Sequence, residues 1–144
     1  MAKLPIHWIE VRVHCHATEE EPRVLQALET ACPVGGMKRE ILEGHFGNPL
    51  VRLTRRVDRA ADIAEVWTQW TSTGLLAKVA HDVDARVDDE GVLHFRIDKQ
   101  RAYAGALDLA IDPDTMDVRV KLMAFPAKPE EARRVARVLA GGGP

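Results

Sequence analysis

Four stretches of the chain alternate apolar and polar residues, which is the pattern of β-strands with one face in a core and the other in water. They cover residues 8–16, 51–57, 93–98 and 117–122. The outward positions are mostly basic, namely Arg12, Arg52, Arg56, Arg96, Arg119 and Lys121, against Glu10, Asp98 and Asp117. His14, His16 and His94 lie beside them, and Trp8 shares the same side of the first stretch.

Between these stretches, apolar residues recur at helical spacing in three places. One helix should begin near Thr18, its expected cap, and end near Cys32, with Pro22 in its first turn. Another should follow Asp58, also an expected cap, and continue as a short helical stretch after Gly74. The last should occupy residues 129–139. Their expected buried positions are Val24, Leu25, Leu28, Ala31, Ile63, Val66, Trp67, Trp70, Leu75, Leu76, Val79, Val83, Val135, Val138 and Leu139.

Glycine, proline and acidic residues mark the turns. Residues 38–42 and 50–57 are predicted to form a hairpin around the turn at 44–49, and residues 85–87 and 92–98 a second one around 88–91. Residues 99–105 should form a single helical turn capped by Asp98. Two more strands should occupy residues 107–111 and 118–125, on either side of the turn at 112–114. The predicted class is α+β, an antiparallel sheet covered by helices on one face, with residues 1–144 as one domain.

Composition limits the function classes that fit this chain. Its 144 residues carry a net charge of −2, which argues against a generic polyanion-coating protein, so any nucleic-acid binding must be local. No apolar run approaches the roughly 18 residues of a membrane helix, and we expect a cytoplasmic protein. Cys15 and Cys32 favour two buried thiols over a disulfide.

Two clusters of candidate chemistry can be weighed on spacing. His14 and His16 share a strand face, where Glu10 or His94 could add a zinc ligand, but no third ligand is fixed by the sequence. His45 near Glu43 resembles an exposed base, yet no nucleophile, phosphate-binding loop or carboxylate pair accompanies it. We therefore expect no enzyme activity, no metal and no cofactor.

The run from Asp98 to Gly105 is the densest group of hydrogen-bonding residues. Lys99 and Arg101 suit phosphates, Gln100 suits a base edge, and Tyr103 suits stacking, which together would serve single-stranded or looped RNA. A solvated turn with Tyr103 in the core is the alternative. Likewise, the arginine-bearing sheet face is either an RNA-contacting surface or only a solvated one, and gathering it into one patch assumes that the four strands share a sheet.

Three motifs carry a family resemblance: HWIEVRVHCHATE at 7–19, EGHFGNP at 43–49, and RVDDEG at 86–91 followed by RIDKQRAY at 96–103. In this order they resemble an archaeal RNA-binding family described as predicted exosome subunits. That family is similar in fold to the large-subunit ribosomal protein that contacts 5S ribosomal RNA. The motif positions that the resemblance carries over are Gly44, His45, Gly47, Asn48, Asp98, Lys99, Gln100 and Tyr103.

The resemblance implies a noncatalytic RNA-binding protein with a role in RNA processing, together with partner proteins of that process. The RNA contacts that we expect come from the basic sheet face and from the run that begins at Asp98, namely Arg12, His14, Arg52, Arg56, Arg96, Lys99, Gln100, Tyr103, Arg119 and Lys121. The acidic run at 19–21 and the acidic turn at 88–90 weigh against tight nonspecific binding. The alternative is a protein-interaction subunit or homodimer that uses a sheet edge or the C-terminal helix and never touches RNA.

Overall fold

The computed structural model describes residues 3–43, 47–111 and 113–141, and over these ranges five strands form one antiparallel sheet. The strands are β1 (Ile6–Cys15), β2 (Gly36–Glu43), β3 (Pro49–Val57), β4 (Val92–Asp98) and β5 (Thr115–Leu122), in the spatial order β2-β3-β1-β5-β4. Strand β1 lies at the centre, paired with β3 on one side and β5 on the other. The four arginine-bearing stretches therefore do share a sheet.

Helices cover the apolar sheet face, as the α+β prediction requires. They are α1 (Glu21–Ala31), α2 (Ala60–Ser72), α3 (Leu75–Val79), α4 (Lys99–Tyr103) and α5 (Pro129–Leu139), with a 3₁₀ helix at Ala80–Arg86. Alternate residues of β1 are fully buried beneath them. Trp70 meets Phe95 edge-on with ring centroids 5.5 Å apart, and its indole N–H donates to the Ala31 carbonyl oxygen at 2.8 Å. This contact joins two helices to the sheet.

Several element boundaries differ from the prediction. Thr18 and Asp58 do not cap helices, because a turn from His16 to Glu19 delays α1, and α2 begins only after Arg59. Residues 107–111 are not a strand. They follow β4 irregularly, with one bridge to Ile97. The strand predicted over residues 118–125 ends early, at Leu122, and residues 85–86 belong to the 3₁₀ helix.

Helix α5 has the predicted bounds but a different buried side. Ala132, Val135 and Ala136 are buried, whereas Val138 is 44% exposed, so its predicted burial is wrong. The small side chains of Ala132 and Ala136 allow α5 to pack closely against the core, and in this orientation Val138 faces away from it. The Asp98 cap is confirmed, since its carboxylate accepts from the Arg101 backbone N–H at 3.0 Å.

Both cysteines are buried, unbonded thiols, as predicted. Burial raises the pKa of Cys32 to about 11. Across the described ranges, no helix is both long and apolar enough to span a bilayer.

Candidate nucleic-acid interface

The sheet face opposite the helices carries charged side chains from all five strands. Strand register shows that they lie together, because residues directly opposite one another project from the same face. In one row, Arg12 lies opposite Thr54 and Asp117, and Asp117 in turn lies opposite Arg96. We call this surface the open face. Its members are Trp8, Glu10, Arg12, His14, Lys38, Glu40, Arg52, Thr54, Arg56, His94, Arg96, Asp117, Arg119 and Lys121.

Seven of these residues are basic and three are acidic, which is a local excess of positive charge on a chain whose net charge is −2. The structure thus brings together all the sheet residues that the sequence predicted as RNA contacts. It adds Lys38 and Glu40 from β2, whose pattern is too irregular to show in the sequence which side faces water.

At the centre of the open face, three arginines surround a single carboxylate. Glu10 lies 3.4 Å from Arg12, 3.5 Å from Arg56 and 3.6 Å from Arg119. We call these four residues the Glu10 hub. The Glu10 side chain is only 12% exposed. One negative charge thus fixes three positive charges, and an excess of two remains for an incoming anion.

Trp8 supports this hub from the same face. The Arg56 guanidinium carbon lies 4.1 Å from the indole centroid, and that of Arg119 lies 5.6 Å away. Cation–π contacts of this kind hold a guanidinium group in place while leaving its edge N–H groups able to donate. Trp8 therefore positions Arg56 and Arg119 in this structure.

Ion pairs also order the flanks of the open face. Arg52 makes two hydrogen bonds to Glu40, both at 3.1 Å, and Arg96 lies 3.4 Å from Asp117. Partial burial and the neighbouring Arg52 lower the pKa of His14 below its ordinary value. His14 is therefore a neutral imidazole at neutral pH, able both to donate and to accept a hydrogen bond.

A groove of about 520 Å³ lies at the β4 side of the open face. Arg12, Arg96 and Arg119 of the sheet line it, and Arg86 of the 3₁₀ helix faces them. Asp88 lies in the same groove with its carboxylate 2.7 Å from His94 Nε2. Arg86 is a candidate contact that sequence reasoning missed, because no local pattern shows that this helix returns beside β4.

Lys99 occupies a position that contradicts the expected phosphate contact. Its side chain is fully buried, and its Nζ donates to the His14 carbonyl oxygen at 2.8 Å, to Glu19 at 2.8 Å and to Asp114 at 3.3 Å. The Tyr103 hydroxyl donates to the second oxygen of Glu19 at 3.1 Å. We call Lys99, Glu19, Tyr103 and Asp114 the Lys99 network. The alternation of β4 already indicated that Lys99 is buried, because it puts residue 99 on the same side as Ile97.

The remaining residues of that run also lie apart from the open face. Gln100 is exposed, but it lines a small cavity with Glu20 and Tyr103 beside the start of α1. The Arg23 guanidinium covers the Tyr103 ring, 5.0 Å from its centroid. The predicted RNA contacts therefore fall into two groups: the sheet residues share the open face, whereas Lys99, Gln100 and Tyr103 lie apart from it. Of the turn residues, Gly44 and His45 lie outside the described residues, whereas Gly47 has a positive φ of 79° and Asn48 is exposed.

The histidine cluster differs from the one that the sequence suggested. The ligand atoms that lie within 4.8 Å of one another belong to His16, Glu19 and Asp114, without His14. The Lys99 ammonium group contacts both carboxylates. Lys99 therefore supplies the positive charge beside the carboxylates of Glu19 and Asp114.

The Lys99 network predicts a loss of stability in acid. Burial alone raises the pKa of Glu19, but the hydrogen bonds from Lys99, the His16 backbone N–H and Tyr103 outweigh it and lower the pKa below 4.5. A carboxyl whose pKa is depressed on folding stabilises the protein above its unfolded pKa and loses that contribution as pH falls through the folded one. The free energy of unfolding of wild type should therefore fall below about pH 4.5.

The measurement is urea denaturation at about pH 6 and about pH 3.5. The Glu19→Gln protein should be less stable at the higher pH and should lose less stability between the two. An equal loss in both proteins would show that Glu19 does not carry the acid dependence.

An antiparallel α+β sheet with one helix-covered side and one arginine-rich side defines the class of open-faced α+β domains with a locally basic surface. Comparison with known proteins is consistent with that class. The chain belongs to the RNA-binding family, because the family model described as RNA binding matches residues 8–122. This range contains β2 to β5 and all of β1 except its first two residues, and therefore the whole open face.

Archaeal relatives extend over almost the full length. The chain is 32% identical to RNA-binding protein PAB1135 of Pyrococcus abyssi, over 94% of each chain. Mth689, a DUF54 protein from Methanothermobacter thermautotrophicus, has a similar structure with a TM-score of 0.81 at 31% identity, covering 94% of this chain and 98% of that one. Protein AF2318 from Archaeglobus fulgidus has a TM-score of 0.84 at 30% identity, covering 93% and 99%.

Proposed function

We propose that this protein binds RNA through its open face and performs no catalysis. The observation that carries the proposal is the Glu10 hub, in which three guanidinium groups are held around one carboxylate with two positive charges in excess. Membership of the RNA-binding family and the name of the Pyrococcus relative support RNA as the polyanion.

Phosphate contacts account for the expected affinity. Guanidinium groups present several N–H donors in a plane and bind phosphate oxygens at two points. Arg12 and Arg119 belong to both the hub and the groove, so the two sites form one continuous surface. Arg86 would add a contact from the opposite wall of the groove.

The cellular role follows the sequence resemblance. We propose a function in RNA processing, in association with the exosome or with other proteins of that process, in the cytoplasm. The sequence resemblance also implies a fold like that of the ribosomal protein that contacts 5S ribosomal RNA, and on that ground we propose a structured RNA as the ligand. These finer assignments require a partner-capture experiment in which nuclease treatment separates RNA-mediated from direct protein contacts.

Binding to labelled single-stranded, hairpin and duplex RNA at two salt concentrations tests the central proposal, with DNA of matched length as the control. Affinity should fall steeply with salt, because phosphate contacts release counterions. RNA should bind more tightly than DNA, since the 2′-hydroxyl offers an additional hydrogen-bonding group. Absence of binding at low salt would reject the proposal, and equal affinity for DNA would reduce it to general polyanion binding.

A further inference from the structure

The two edges of the sheet differ in how they are protected. Residues 107–111 follow the outer side of β4, where the Ala110 N–H donates to the Arg96 carbonyl oxygen and the Asp98 N–H to the Asp108 carbonyl oxygen. Strand β2 is eight residues long, and on its outer side no strand pairs with it among the described residues. An edge of this length is a template for a further strand.

Apolar side chains are exposed along this edge. On the helix-side face of β2, Ile41 is 68% exposed and Met37 is 40% exposed. Arg39 lies between them in the alternation, and Glu43 follows Ile41. The edge therefore combines unpaired backbone with a mixed apolar and charged row of side chains.

The order of these side chains favours pairing with a second copy of the same edge. A two-fold axis perpendicular to the sheet pairs two β2 strands in antiparallel fashion and keeps helices on the same side. An axis through Arg39 would put two guanidinium groups opposite each other, and one through Glu40 would oppose two carboxylates. An axis through Ile41 instead places Ile41 opposite Ile41, and Arg39 opposite Glu43 twice.

We propose that β2 pairs with β2 of a second copy about an axis at Ile41, which forms a continuous ten-stranded sheet. Opposite charges and identical apolar residues directly across from each other both stabilise antiparallel pairs. Arg39 already binds Glu21 through Nε and Nη2, at 3.0 to 3.2 Å, which leaves Nη1 to reach Glu43 of the second copy. This pairing is independent of the proposed RNA binding.

Cysteine cross-linking tests the register. In Ile41→Cys, the two introduced thiols would lie opposite each other at the axis, so mild oxidation should give a covalent dimer in high yield. Met37→Cys is the matched control, since its two copies would lie eight residues apart, about 26 Å at roughly 3.3 Å per residue. Wild type should give no covalent dimer, because Cys15 and Cys32 are buried. Equal cross-linking at positions 37 and 41, or none at 41, would overturn the register.

A charge exchange tests the pairing without cysteine. Arg39→Glu should raise the dimer dissociation constant, measured by light scattering, about tenfold or more. The change puts a carboxylate at position 39 opposite Glu43 of the other copy, and this happens on both sides of the axis. Combining Arg39→Glu with Glu43→Arg should restore dimerisation, although the Arg39–Glu21 contact stays lost. A monomeric wild type at high concentration, or failure of the exchange to restore the dimer, would overturn the proposal in favour of an unrelated partner strand.

Discussion

Replacing Arg52 and Arg96 together by glutamate should weaken RNA binding about 100-fold, taking two charge-assisted contacts at about 1.5 kcal/mol each. The two arginines lie on either side of the Glu10 hub, and their side chains are 25% and 68% exposed. Reversal also puts negative charge where phosphate must approach. The salt dependence of binding should become shallower at the same time, because fewer counterions are released.

The matched control makes the same change in charge at two exposed residues that do not belong to the open face. Arg59 and Arg134 are exposed residues at the start of α2 and on α5, and Arg134 pairs with Glu131 much as Arg52 pairs with Glu40. Arg59→Glu with Arg134→Glu should leave affinity within a few-fold of wild type. If both double variants weaken binding equally while circular dichroism shows intact folds, net charge and not the open face determines affinity.

Replacing Lys99 by methionine should lower the free energy of unfolding by about 3 kcal/mol, since removing one partner of a buried ion pair leaves the others uncompensated. Glu19 is 19% exposed in this pair, and the His14 carbonyl oxygen loses its Lys99 donor as well. For a domain of ordinary stability, this loss is a large share of the total. Urea denaturation followed by tryptophan fluorescence measures it.

Lys78→Met provides the comparison. Lys78 also pairs with an aspartate, Asp108, but its side chain is 51% exposed. Exposed pairs of this kind contribute less than about 1 kcal/mol. A Lys99→Met protein no less stable than Lys78→Met would show that the buried Lys99 network contributes no more to stability than an exposed ion pair.

Local periodicity explains what the sequence could predict. Alternation has a period of two residues, so the side on which Arg12 or Arg119 projects is legible without knowing the fold. The order of the whole sheet cannot be predicted in this way, because the pairings of β1 with β3 and with β5 join segments far apart in the chain. Lys38 is assigned to the open face only by its register opposite Thr54, and Arg86 lines the groove only because the 3₁₀ helix returns beside β4, so neither could be assigned in advance.

The prediction that Lys99 contacts RNA was wrong for a different reason. It followed the residue type, a lysine, rather than the position of that residue in the strand pattern. Lysine is rarely buried without a partner, and its partners Glu19 and Asp114 are 80 and 15 residues away in the chain. The alternation of β4 nevertheless indicated the interior. A charged residue at an inward position therefore predicts a buried ion pair, even where its partners cannot be named.

The Glu10 hub also bears on the entropy of recognition. A long basic side chain that is loose before binding loses up to about 2 kcal/mol of rotamer freedom when a ligand immobilises it. In this protein, the carboxylate of Glu10 and the ring of Trp8 already restrict Arg56 and Arg119. Much of that ordering is therefore complete when the chain has folded, and RNA would meet a nearly rigid surface rather than one that must assemble around it.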